Sequence, residues 1–216
     1  MATILLTGFE PFGGEEANPS WNAVRAVRDS WSGPGTVHAV ELPVDFRGLD
    51  AVLLDAFERY QPDVVICTGL AGGNADIAVE RIAINVKDPG VPDNAGYLPV
   101  DEPVDEDGPA AYFSTLPIKP IVARLAEDGI PARVSDSAGT YTCNYVFYRL
   151  MRALAELRPH AIGGFVHVPY ELAQAVGSVR PRPSMSHETI TRAIALAATT
   201  ALESLEQRLD TAVGLT

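Results

Sequence analysis

Apolar residues fall into two alternating patterns along the 216 residues: short unbroken runs, and longer stretches in which they recur every third or fourth position. The runs at 3–7 (T-I-L-L-T), 36–42, 63–69 (D-V-V-I-C-T-G) and 161–168 (A-I-G-G-F-V-H-V) predict buried strands, with a short further strand at 132–135. A strand covered on both faces needs apolar side chains at nearly every position. Helical spacing marks the stretches between them. One helix opens after Asn18-Pro19, with Ser20 as cap, and buries Trp21, Val24 and Val27. A second runs from about 46 to 60 behind Asp45, and a third starts near 117 behind Ser114 or Thr115 and stops before Gly129. A fourth carries the stripe Val146, Phe147, Leu150, Met151, Leu154 and Leu157. The last begins near Ser186, has Glu188 in its first turn, and lines up Ile190, Ile194, Ala197, Ala201, Leu205 and Leu209. Strands alternating with helices argue for an α/β fold around a largely parallel sheet.

Two segments resist this pattern. Residues 77–86 (I-A-V-E-R-I-A-I-N-V) read as a strand, yet Glu80 and Arg81 interrupt it and would point to opposite faces. Glu80 is therefore either turned inward, where its charge needs a partner, or solvated at a sheet edge. Residues 88–108 are rich in Pro, Gly, Asp and Glu without periodicity, which predicts a long loop serving as a lid or a subunit contact. No repeat, low-complexity tract or linker divides the chain, so residues 1–216 are expected to form one domain.

Charge narrows the partners. A formal net charge of −12 disfavours nucleic acid and anionic membrane surfaces, and no Lys/Arg run with interleaved aromatics offsets it. The N-terminal apolar run lacks a basic flank and is too short for a signal peptide or membrane span, which points to the cytoplasm. The two cysteines, Cys67 and Cys143, are then expected to be free thiols. Neither H-x-x-x-H nor C-x-x-C occurs, so no metal is expected. The glycine-rich segments match neither a P-loop nor G-x-G-x-x-G, so no nucleotide cofactor is expected either.

Chemistry concentrates at 135–148 (S-D-S-A-G-T-Y-T-C-N-Y-V-F-Y), where turn-forming residues give way to the fourth helix. Cys143 falls in or near that helix's first turn. Unpaired N–H groups and the positive end of the helix dipole there favour a thiolate and offer donors for an oxyanion. Cys67, inside a strand, reads as inert core. Of the four histidines only His167 closes an apolar strand, and strand ends are where catalytic groups gather in α/β proteins. Phe9 and Phe12 flank Pro11 in a strand-end loop, either as a lid on the core or as walls of an apolar pocket.

A thiol at a helix start, an imidazole at a strand end and a buried-looking carboxylate supply the nucleophile, base and orienter of a cysteine hydrolase. The segments G-F-E-P-F-G-G with N-P-S, G-L-A-G-G-N-A-D-I-A-V-E-R-I-A-I-N, V-P-D-N, S-A-G-T-Y-T-C-N-Y, G-F-V-H-V-P-Y and P-S-M-S, in that order, resemble pyrrolidone carboxyl peptidases, also called type I pyroglutamyl peptidases. That resemblance implies a three-layer α/β/α fold with a mixed, largely parallel, twisted sheet, phosphorylase- or hydrolase-like. It implies removal of N-terminal pyroglutamate from peptides, without a cofactor, by Cys143 as nucleophile, His167 as base and acid, and Glu80 as orienter. Phe9, Phe12, Val91, Tyr141 and Thr142 would line the ring slot, with main-chain carbonyls around Asn18 and Leu70 accepting the lactam N–H. A homotetramer is implied as well. The chain departs from the family pattern at Asn74 and Gly90, where many relatives carry Arg, and at Ala78, Tyr141 and Thr142. A more mobile 88–96 loop and weaker substrate affinity are expected from those changes. Two other readings stay open on sequence: a catalytically weak pyroglutamyl-binding homologue and a phosphorylase-like enzyme.

Overall fold

The structure, a computed structural model, describes residues 1–176 and 178–213. Its framework is a sheet of β1 (Thr3–Phe9), β2 (Thr36–Leu42), β3 (Val64–Leu70), β4 (Ile77–Glu80), β7 (Ala132–Ser135) and β8 (Ile162–Val168). The spatial order is β2-β1-β3-β8-β4-β7. All neighbours are parallel except β4 and β8, so the β4–β7 pair runs opposite to the other four strands.

The unbroken apolar runs are explained by coverage on both faces. Ile4, Leu6, Ile66 and Val166 point to a layer formed by α1 (Pro19–Ser30), α3 (Ile118–Glu127) and α6 (His187–Val213). Leu5, Val65, Cys67 and Phe165, one position out of phase, point to a layer formed by α2 (Leu49–Tyr60) and α4 (Thr142–Leu157). Period-two alternation along each strand thus feeds two separate cores, and the fold is the expected three-layer α/β/α arrangement with a mixed sheet.

Several boundaries differ from expectation. Asn18, not Ser20, caps α1: its Oδ1 accepts from Ser20 N at 3.1 Å, while the buried Ser20 hydroxyl accepts from Phe9 N at 3.0 Å. Asp45 closes a turn through Arg47 N (2.9 Å), and α2 starts later, at Leu49. α3 has no side-chain cap; the Thr115 hydroxyl instead accepts from Gly163 N of β8 at 2.8 Å. The 77–86 run breaks at Arg81, which turns out to Asp136 (Nε–Oδ1 2.6 Å). Beyond the break, β5 (Ile82–Ile84) pairs antiparallel with β6 (Ala111–Phe113). After β8, where no apolar run or helical spacing predicts an element, lie the short strand β9 (Tyr170–Glu171), paired with β10 (Ser184–Met185), and one turn of helix, α5 (Leu172–Ala175). On α6 the apolar stripe is buried as far as Leu205, but Leu209 is half exposed.

Candidate active site

Register brings the candidate residues together. His167 on β8 lies opposite Ala78 on β4, so Glu80, two residues on, shares its face of the sheet. That face is the one covered by α4. Glu80 is buried, and its Oε1 lies 2.8 Å from His167 Nδ1. Glu80 is thus turned inward with the partner its burial requires, and Arg81 beside it takes the outward position. The Phe165 ring meets the imidazole edge-on at 4.8 Å between centroids.

Cys143 is the second residue of α4, and its side chain lies beside the His167 imidazole on the same cavity, close enough to raise the pKa of the ring. Its sulfur rests against β3 at Gly69: a Cβ there would sit 2.8 Å from Sγ and 2.9 Å from the Phe165 ring. Absence of a side chain at residue 69 is what lets the helix end approach the sheet. The residue in the N-cap position, Tyr141, makes no capping hydrogen bond with its side chain. The first-turn N–H groups therefore remain available beside the thiol.

Burial by itself would lower the pKa of His167. Charge on Cys143, hydrogen bonds to Cys143 and Glu80, and the Glu80 charge outweigh it and raise the value to about 9. The balance favours the protonated ring between sulfur and carboxylate. Cys67 is the opposite case: full burial pushes its thiol up to about 12, as an inert core residue should behave.

A cavity of about 340 Å³ opens over these groups, lined by Cys143, His167 and Glu80 together with Phe9, Phe12, Asn18, Leu70, Tyr141 and Thr142. Phe12 and Phe46 pack on the Tyr141 ring at 6.1 and 5.7 Å, so the Phe9–Phe12 segment is a pocket wall. The Asn18 side chain is committed to Glu10 O and to its cap, and its carbonyl already accepts from Asn22 N at 3.1 Å. Val91 is different: it is 56% exposed and does not line the cavity, because it follows Gly90 in a turn of positive φ (72°) that directs it to solvent.

The 88–96 loop, expected to be more mobile because of Gly90, is held at several points by hydrogen bonds. Thr140 Oγ1 donates to Asp88 O (2.7 Å) and Tyr141 OH to Pro92 O (3.1 Å). Asp93, buried, accepts from Phe46 N, Ala95 N and Tyr97 N at 2.8–3.0 Å.

Sequence reasoning missed Asn144, whose buried amide pairs with β5 like a neighbouring strand: Oδ1 accepts from Ile84 N (2.9 Å) and Nδ2 donates to Ile84 O (2.8 Å) and Val86 O (3.1 Å). It also missed most of the polar flank of the cavity, Arg133, Ser135 and Ser137, which lie there with Asn74. The adjacency of Asn144 to Cys143 was the one available signal. Nothing in the spacing places Arg133 near the cavity, because strand register does so.

A thiol at a helix N-terminus, beside a strand-borne imidazole that a buried carboxylate holds, defines the class of hydrolases with a cysteine nucleophile. The chain belongs to the pyroglutamyl peptidase family, whose profile matches residues 2–204. It is 57% identical over 181 residues to the pyrrolidone-carboxylate peptidase of Clavibacter michiganensis subsp. michiganensis, covering 84% of each chain. The crystal structure of pyroglutamyl peptidase I from Bacillus amyloliquefaciens superposes with a TM-score of 0.89 at 45% identity, over 93% of this chain and 97% of that one. Pyrrolidone carboxyl peptidase from Thermococcus litoralis superposes at 0.91 and 41% identity, over 96% of each.

Proposed function

We propose that this chain is a cysteine-type pyroglutamyl peptidase whose nucleophile is Cys143, whose general base and acid is His167, and whose orienting group is Glu80. The observation that carries this reading is the buried Glu80–His167 contact at 2.8 Å with the Cys143 side chain on the same imidazole. The Cys143 sulfur attacks the carbonyl carbon of the pyroglutamyl peptide bond, and first-turn N–H groups of α4 hold the oxyanion. His167 gives its proton to the leaving nitrogen as the C–N bond breaks, leaving a thioester on Cys143. A water molecule, losing its proton to His167, then attacks the thioester and releases pyroglutamate, which restores the free Cys143 sulfur and the protonated His167 ring.

The ring slot lies where Phe9, Phe12, Leu70, Tyr141 and Thr142 line the cavity. Its apolar walls accept an uncharged lactam. An ordinary N-terminus would have to bury an ammonium group there, at several kcal/mol by order of magnitude. Val91 faces away and contributes no wall. The chain acts as one domain of residues 1–216, in the cytoplasm, as a homo-oligomer of tetrameric type. The apolar side chains of Leu172, Val176 and Val179, exposed together on the 172–179 segment, support the oligomer.

The test is release of a fluorescent amine from a pyroglutamyl amide under reducing conditions. Turnover is expected in wild type and in Cys67→Ala and is expected to vanish in Cys143→Ser. No turnover in wild type, or turnover that survives Cys143→Ser, would sink the proposal.

A further inference from the structure

The cavity has two unlike halves, and their order follows from the sheet. Phe9 ends β1 and Leu70 ends β3, which places the apolar slot on one side of His167. On the other side lie β4 and β7, whose contributions are polar. Among the described residues lining the cavity, Arg133 is the one with a fixed positive charge.

Register puts Arg133 in line with the chemistry. Gly69 pairs with His167, His167 with Ala78, and Ala78 with Arg133, so the four stand in one row across β3, β8, β4 and β7. Residues opposed in this way share a face of the sheet. Ala132 packs into the other layer, which fixes Arg133 on the catalytic side. The sulfur of Cys143 lies over Gly69, and the only side chain between His167 and Arg133 in this row is the methyl group of Ala78. Arg133 Cα is two strand spacings from that of His167, about 10 Å. Asp76 meets the guanidinium at Nε (3.0 Å), which steadies the group, and the Nη nitrogens of the same planar fork are the donors a further anion would use.

Resting on the function proposed above, we infer that Arg133, steadied by Asp76, forms a subsite for a carboxylate carried by the residue that follows pyroglutamate. With the ring in the apolar slot, the departing amine lies at His167 and the next residue passes over Ala78. Either the free carboxylate of a pyroglutamyl dipeptide or an acidic side chain on that residue, a few ångströms beyond the scissile nitrogen, then comes within reach of the guanidinium. Asn74, Ser135 and Ser137 supply a polar wall around it. The preference is electrostatic and, with the Arg133 side chain 44% exposed, weakened by salt.

The experiment compares kcat/KM for pyroglutamyl-alanine with pyroglutamyl-alaninamide, and for pyroglutamyl-glutamic acid α-amide, which keeps its side-chain carboxylate, with pyroglutamyl-glutamine α-amide. Ratios of charged to neutral substrate within one preparation cancel differences in active-enzyme content. In at least one pair the wild-type ratio is expected to exceed that of Arg133→Gln by about fivefold or more, as a charge-assisted hydrogen bond implies. Arg133→Lys should keep part of the preference, and about 0.5 M salt should shrink it. A response in the first pair assigns the site to a terminal carboxylate, and one in the second to an acidic side chain. Equal ratios in wild type and Arg133→Gln for both pairs would overturn the subsite while leaving the peptidase reading intact. Failure of wild type to cleave even the neutral amides would overturn both.

Discussion

His167 shows how a single residue integrates its surroundings. Burial disfavours its charge, and the Cys143 and Glu80 side chains restore it, with the result that the ring stays protonated to about pH 9. With the imidazolium as the proposed proton donor for the leaving amine, kcat/KM is expected to fall as pH rises through about 9. Glu80→Gln removes a carboxylate that raises the pKa, and should move this alkaline limb to lower pH as well as reduce the rate. A pH–rate profile checks both; a limb that stays in place would separate Glu80 from the titration. The sign for stability is the same. Because the folded pKa lies above that of a free imidazole, about 6.5, the proton's stabilisation is complete below 6.5 and is lost as pH rises through about 9. Thermal unfolding of wild type should therefore weaken over that window, with less change in Glu80→Gln.

At the scale of elements, the N-terminus of α4 delivers the thiol, and its position depends on contacts with three strands. Gly69 of β3 lets the sulfur approach, Phe165 of β8 backs the imidazole, and Asn144 binds the helix to β5. Asn144→Ala would leave Ile84 N, Ile84 O and Val86 O without these partners, a loss of about 2–4 kcal/mol. A lower urea midpoint together with a reduced kcat is expected, since the helix end would drift from the sheet; a normal kcat in the folded variant would limit Asn144 to a stabilising role. The α4 stripe and the strand runs were legible from spacing because burial on one or two faces imposes a period. The break at Arg81 was not, because it answers to Asp136, 55 residues away. Val91 was misplaced for a related reason: the φ of Gly90 decides its direction, and composition does not report a dihedral.

Over the whole molecule, the reversal of the β4–β7 pair is the organising feature. An all-parallel sheet would align strand ends on one side; the antiparallel β4–β8 contact instead sets Glu80 diagonally across from His167 and brings the β7 face beside the cavity. The exposed apolar side chains of Leu172, Val176 and Val179 belong to this scale too. Sedimentation is expected to report a tetramer, and Val176→Asp with Val179→Asp should shift it toward smaller species by placing repelling charges in an apolar contact. A monomer in wild type would remove the proposed oligomer.

The sequence by itself determined the α/β class and its strand and helix runs, because apolar periodicity is a local consequence of burial, and it marked Cys143 and His167, because their positions at a helix start and a strand end are local as well. Only the tertiary structure decided between the inward and the solvated Glu80, turned Val91 out of the slot, tied down the 88–96 loop, and set Arg133 in one row with His167. Those outcomes depend on strand register and loop dihedrals, which are fixed by contacts between residues far apart in the chain.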